Sequence, residues 1–185
     1  MPKFNKSNFK VRELKVSPDA KYLVIVESPS KCKKIESYLG CDYACIASIG
    51  HLRKIEGLKS IDTKNNHSIV YSLMNDKKAH IKEIEKVMKQ FSKENIIIAT
   101  DDDREGEAIA WHICEIFNLD IQNTKRIIFH EITQSALHHA IKYPTKINMD
   151  LVTSQQARQV VDLYVGYKIS PVLWLSLIHI SEPTR

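Results

Sequence analysis

Residues 95–107 read Asn-Ile-Ile-Ile-Ala-Thr-Asp-Asp-Asp-Arg-Glu-Gly-Glu, an apolar run that ends in acid. A continuous apolar, β-branched run of this length predicts a strand buried on both faces, over Asn95 to Thr100. A helix over Ala108 to Phe117 is predicted to follow. The same pattern occurs earlier, where Tyr22-Leu-Val-Ile-Val26 runs into Glu27 and then into a helix predicted from a Ser30 cap to Leu39. Two more strands are predicted over Tyr43 to Ser48 and Arg126 to Phe129. Amphipathic helices are predicted over Asp76 to Phe91 and from a Thr133 cap to Ile141. Residues 51–67 read as a loop. Strands alternating with helices predict an α/β fold with a mostly parallel sheet.

The flanks read differently. Residues 1–20 are a polar, basic, flexible arm without the apolar core of a secretion signal. From Asp150 a long helix is predicted to about Tyr167, with Pro171 beyond it. The expected organisation is therefore the arm over 1–20, an α/β domain over 21–145, and the start of a helical domain over 146–174. Residues 175–185 resemble the translation of a sequencing-library adapter end. They are set apart, so that the natural protein is expected to continue beyond Trp174.

Composition narrows the classes. The 185 residues are 43% hydrophobic and 26% charged, which suits a globular core and excludes collagen-like, disulfide-scaffold and wholly disordered chains. No apolar run approaches the roughly 20 residues of a membrane helix. Lys and Arg total 27 against 22 Asp and Glu, a mild excess that permits polyanion binding without demonstrating it. Cys32, Cys41, Cys45 and Cys114 contain no CxxC pair, so reduced thiols in a cytosol-like compartment are expected rather than zinc.

In an open α/β sheet, ligands gather at the carboxyl ends of the strands. Two buried strands here end there in acid, at Glu27 and at Asp101. If the segment after Thr100 stays extended, Asp101, Asp103 and Glu105 alternate onto one side. A hard divalent cation such as Mg²⁺ would relieve their repulsion, and Glu27 would then be placed to exchange a proton beside it. A solvated acidic loop with Arg104 as counter-charge fits the same spacing. Lys31, at the start of the first helix, suits a phosphate or is a plain surface lysine. His51, in Ser48-Ile-Gly-His-Leu52, is structural or functional on its position alone.

Five stretches in order resemble a known family. They are Val24-Ile-Val-Glu-Ser-Pro-Ser-Lys31, Ser48-Ile-Gly-His-Leu52, Ala99-Thr-Asp-Asp-Asp-Arg-Glu-Gly-Glu-Ala-Ile-Ala-Trp111, Arg126-Ile-Ile-Phe-His-Glu-Ile-Thr133, and Gln155-Gln-Ala-Arg158 with Asp162 and Val165-Gly-Tyr167. The series resembles the N-terminal part of a type IA DNA topoisomerase, closer to the bacterial topoisomerase I branch than to topoisomerase III. The resemblance implies a Toprim domain, a Rossmann-like sheet flanked by helices, followed by the start of a helical domain that helps line the DNA groove. It implies Mg²⁺ at Asp101 and Asp103, with Glu105 and Glu27 near the metal. Glu27 would act as proton donor and acceptor at the scissile 3′ oxygen, and Lys31 and Arg104 would steady the phosphate. His51, Arg158, Gln159, Asp162, Tyr167 and Trp174 fall where the family contacts or orders single-stranded DNA.

The implied partner is single-stranded or underwound DNA, met by a monomer in the cytoplasm, with no membrane involved. Asp102 stands where many relatives are not acidic, and Gln159 where many carry a second basic residue. The family's nucleophilic tyrosine has no counterpart among the seven tyrosines here, so this chain alone is expected to be inactive. The other readings are a Toprim-type metal-dependent nuclease or primase-like protein, and a non-catalytic single-strand binder.

Overall fold

The computed structural model describes residue 14 and residues 16–180, with residues 177–180 described by backbone alone. Most of the expected arm, and the tail past residue 180, lie outside the described residues. Leu14, Val16 and Ala20 pack partly buried against the core.

The chain begins β1 (Tyr22–Val26), α1 (Pro29–Leu39), β2 (Tyr43–Ala47), then two-residue strands β3 (Arg53–Lys54), β4 (Ile61–Asp62), β5 (Ser68–Ile69) and β6 (Ser72–Leu73). It continues α2 (Lys78–Met88), β7 (Ile96–Ala99), α3 (Arg104–Phe117), β8 (Lys125–Ile127), α4 (Gln134–Lys142), α5 (Met149–Tyr164) and α6 (Ser170–Ile180). Four strands make one all-parallel sheet in the order β2-β1-β7-β8.

Period-two alternation divides the core. Leu23, Ile25, Ile96 and Ile98 face α2 and α3, meeting Ile84 and Ile113. Val24, Val26, Ile97 and Ala99 face α1 and α4, meeting Ile35 and Leu137. Both faces of each central strand are covered, which is why the sequence runs apolar without a break. Each fully buried aliphatic side chain contributes about 1.5–3 kcal/mol.

The expected α/β fold with its parallel sheet is what forms, with several local differences. Residues 51–67 are not plain loop: β3 pairs with β6 and β4 with β5 as small antiparallel ribbons. α1 starts at Pro29 with Ser28 as its N-cap residue, so Ser30 lies inside the first turn rather than capping it. Proline there needs no N–H partner. Thr133 does cap α4, accepting from the Ala136 N–H.

The long C-terminal helix does not stop before Pro171. A π-helical turn, Val165–Ile169, joins α5 to α6, and Pro171 sits at the second position of α6. A proline ring crowds the carbonyl four residues back and offers it no N–H. The wider turn just before it, with the Ser170 N–H reaching Val165 O, accommodates that defect.

Candidate functional site

The strand order reverses direction between β1 and β7, because the chain leaves β1 for β2 and then crosses back to the other side. That is the switch point where such sheets bind ligands. In register, Val26 of β1 lies beside Ala99 of β7. The next residues are therefore Glu27 on one strand and Thr100-Asp101 on the other, both at the carboxyl edge. α1 brings Lys31 over this edge, with its Nζ 2.6 Å from Asp101 Oδ1. A cleft of about 400 Å³ opens here, lined by Lys31, Asp101, Asp102, Asp103, Phe129 and His130 among others.

Partial burial holds the Glu27 carboxyl above its ordinary pKa, and repulsion from Asp101 and Asp103 adds to this against the pull of Lys31 and His51. Glu27 thus feels four charged or polar groups drawn from three segments. Glu105 and Arg104 are not among the groups that shift Glu27. Asp103 is the N-cap of α3, its Oδ1 accepting from the Gly106 N–H at 2.6 Å, so the chain turns helical at Arg104. The extended alternation expected for Asp101, Asp103 and Glu105 ends at Asp103. Glu105 and Arg104 stand exposed on the first helical turn.

A buried framework holds the acidic turn from below. Arg126 is fully buried; its Nη2 donates to Asp101 O at 2.9 Å and its Nε to Thr100 Oγ1 at 3.2 Å. Its Nη1 lies 3.1 Å from Glu107 Oε1, and Glu107 also accepts from the Asn148 N–H. Burial pushes the Glu107 carboxyl up, against the opposing pull of Arg126. Gly106 lies so close to this turn that an added Cβ would sit 2.2 Å from Asp101 O. Neither Arg126 nor Glu107 is among the site residues expected from sequence. An arginine opening an otherwise apolar strand was the available signal, since a buried guanidinium requires a buried partner.

A second cleft, of about 380 Å³, lies beside α5 and includes His51, Arg53, Lys54, Gln159 and Asp162 in its walls. The turn carrying His51 has two consecutive left-handed residues, Ile49 at φ 60° and Gly50 at φ 75°. For a β-branched residue this is strained. Lys77 Nζ holds the Ile49 carbonyl at 3.0 Å, and the Gly50 N–H donates to Glu27 O at 3.2 Å. The two clefts therefore share one backbone junction.

Behind His51 lies the buried His112, whose pKa is pushed down to about 3, first by burial and then by Arg53. Neutral His112 accepts at Nδ1 from Arg53 Nε at 2.8 Å. The Arg53 guanidinium stacks on Trp111 and Tyr71, 4.8 and 5.3 Å from their ring centres. Tyr71 donates to Gln159 Oε1 at 3.1 Å, which leaves the Gln159 amide NH₂ for the cleft. Arg158 and Asp162 form an exposed i,i+4 pair at 3.7 Å. Tyr167 is exposed, with its hydroxyl near Gly57, and Trp174 is also exposed.

Among the described residues, no group of three or more His, Cys, Asp or Glu is arranged to hold a metal ion by itself. Mg²⁺ characteristically takes one or two carboxylates and completes its shell with water and substrate phosphate. Asp101 and Asp103 suit that mode: both are exposed oxygen donors, and Asp103 has one oxygen outside its cap bond. Lys31 supplies the positive charge beside Asp101.

A parallel sheet flanked by helices, with carboxylates and a lysine at its switch point, places the chain in the Rossmann-like class of α/β domain. Residues 22–132 match the Toprim domain, and the chain belongs to that family. It is also similar to full-length topoisomerase I from Thermotoga maritima, with 38% identity and a TM-score of 0.73 over 82% of this chain and 26% of that one. The chain spans about a quarter of that protein's length. Both findings bear out the type IA topoisomerase resemblance carried by the five motifs. Among the described residues, no helix is long and apolar enough to cross a membrane.

Proposed function

We propose that this chain is the Toprim region of a type IA DNA topoisomerase, over about residues 21–145, joined to the first helices of a DNA-groove domain. The observation that carries this reading is the placement of Glu27 and Asp101 just past the ends of adjacent strands at the switch point, with Lys31 paired to Asp101 and acting on Glu27. The whole enzyme would relax underwound DNA without ATP. A tyrosine from outside this chain would attack a phosphodiester to give a 5′-phosphotyrosine and a free 3′ hydroxyl. After strand passage the 3′ oxygen would attack back.

Glu27 is suited to give a proton to the departing 3′ oxygen and to take it back on religation, because its surroundings favour the protonated form. Lys31 and Arg104 are suited to the phosphate. Asp101 and Asp103 would hold Mg²⁺, which supplies charge stabilisation at a phosphoryl group when bound. His51, Gln159, Asp162 and Arg158 offer the strand a polar cleft and rim, and the exposed rings of Tyr167 and Trp174 offer stacking surfaces. DNA, single-stranded or underwound, is the partner, met by a monomer inside the cell.

Grafting tests this. Residues 21–174 replace the matching segment of a working bacterial topoisomerase I, and the chimera is assayed on supercoiled plasmid with Mg²⁺. Relaxation is expected, together with its loss on Glu27→Gln and no relaxation by the chain alone. A folded chimera that cannot relax DNA overturns the reading. Nicking by the isolated chain would instead favour a metal-dependent nuclease.

A further inference from the structure

We propose that Cys32 and Cys45 form a reversible disulfide site, with Cys32 as the attacking thiol and Cys45 as the resolving one. Cys32 lies in the first turn of α1 and is only partly buried, whereas Cys45 is buried at the centre of β2. Both belong to the cluster beneath α1. Cys32 and Glu36 are one turn apart on the same face of α1, and Glu36 Oε1 accepts from the Cys45 N–H at 2.8 Å. That bond fixes α1 over β2 at Cys45, and Cys32 packs against the same cluster that holds Cys45.

The chemistry favours an order of events. Interaction with Cys45 holds the Cys32 thiol below its usual pKa against burial, and the same interaction, then burial, pushes Cys45 up. Position in a first helical turn and the flanking Lys31, Lys33 and Lys34 also favour a thiolate at Cys32. A partly exposed, low-pKa thiol beside a second thiol is the profile of a redox-sensitive cysteine.

The oxidant is a low-molecular-weight disulfide. The Cys32 thiolate attacks one of its sulfurs, forms a mixed disulfide and releases one small thiolate. The Cys45 sulfur then attacks Cys32, its proton passing to the second departing thiolate. Two protein thiols are oxidised and one small disulfide is reduced to two thiols. The bond ties the turn that carries Lys31 to the edge strand β2.

The test uses the full chain carrying Cys41→Ser, which removes the exposed competing thiol. It is incubated with oxidised glutathione, denatured, alkylated and mapped by protease digestion and mass spectrometry. Loss of two of its three thiols is expected, with the Cys32 peptide linked to the Cys45 peptide and both thiols restored by dithiothreitol. Adding Cys45→Ala is expected to leave glutathione on Cys32. Three intact thiols, or a stable glutathione adduct at Cys32 while Cys45 is present, would overturn the proposal. The map of the Cys41→Ser chain decides the matter even if the second variant does not fold.

Discussion

The Arg126 guanidinium reaches across from β8 to the carbonyl oxygen of Asp101, so the residue that presents the acidic turn is held through its backbone by a fully buried cation. Asp101 is thereby left with its carboxylate facing the cleft and Lys31. The charge that steadies the turn from within, Arg126, is a different one from the charge that faces the cleft, Lys31.

Arg126→Met is expected to lower folding stability by about 3–5 kcal/mol, because Glu107 is left buried and unpaired. Adding Glu107→Leu should recover a large part of that loss. Urea denaturation of the single and double variants checks this. If the double variant is no more stable than Arg126→Met, the two residues are not coupled.

Gly106→Ala and Gly166→Ala should act in opposite directions. The first places a methyl 2.2 Å from Asp101 O, where backbone must move, and overpacking of this kind costs about 1–3 kcal/mol. The second meets nothing within 4 Å and should stabilise by up to about 1 kcal/mol, through the unfolded chain. Thermal melts distinguish them, and a neutral Gly106→Ala would show that the α3 entrance is looser than the structure has it.

Glu27 gives a pH signature. Its folded pKa lies above its unfolded one, so the folded state holds the proton more tightly. The associated stability is complete below the unfolded pKa and is lost as pH rises through the folded value. Glu27→Gln removes that loss. The variant should therefore be the more stable at neutral pH, by less than about 1 kcal/mol given solvent screening, with the gap closing on acidification. A gap that widens at low pH would reverse the assignment of the proton.

Asp101→Asn with Asp103→Asn is expected to abolish any rise in melting temperature produced by Mg²⁺. Asparagine caps helices well, so the α3 start should survive while the charge is lost. A double variant that responds to Mg²⁺ like the parent would place the ion elsewhere.

The fold was legible because its signal is local: buried parallel strands are uninterrupted apolar runs, and β1 and β7 announce themselves as such. Glu27 and Asp101 were legible for the same reason, since they end those runs. The alternation expected to carry on to Glu105 stops short because it holds only while a chain is extended, and the Asp103 cap ends that at once. Arg126, Glu107 and the Arg53–His112 pair depend on contacts between residues far apart in sequence, which no periodicity reports. The two small ribbons of residues 53–73 are too short to leave a pattern.

The last prediction separates a groove from diffuse attraction. His51, Gln159 and Asp162 share one cleft, with Arg158 beside them on α5, so a strand laid there would meet Arg158 through a phosphate. Arg158→Ala should weaken single-strand binding alike for all sequences and reduce the salt dependence by about one phosphate contact. Lys21 is the matched control. It precedes β1, at the opposite end of that five-residue strand, about 15 Å from the acidic edge, and is paired with Asp42. Lys21→Ala removes the same charge from the chain as a whole, so a binding mode governed by net charge would respond equally to both. Affinity for an oligonucleotide at two salt concentrations, expected in the micromolar range or weaker, on the order of non-specific electrostatic binding, makes the comparison. A loss confined to Arg158→Ala supports the groove; equal losses would mean that the DNA is held by charge alone.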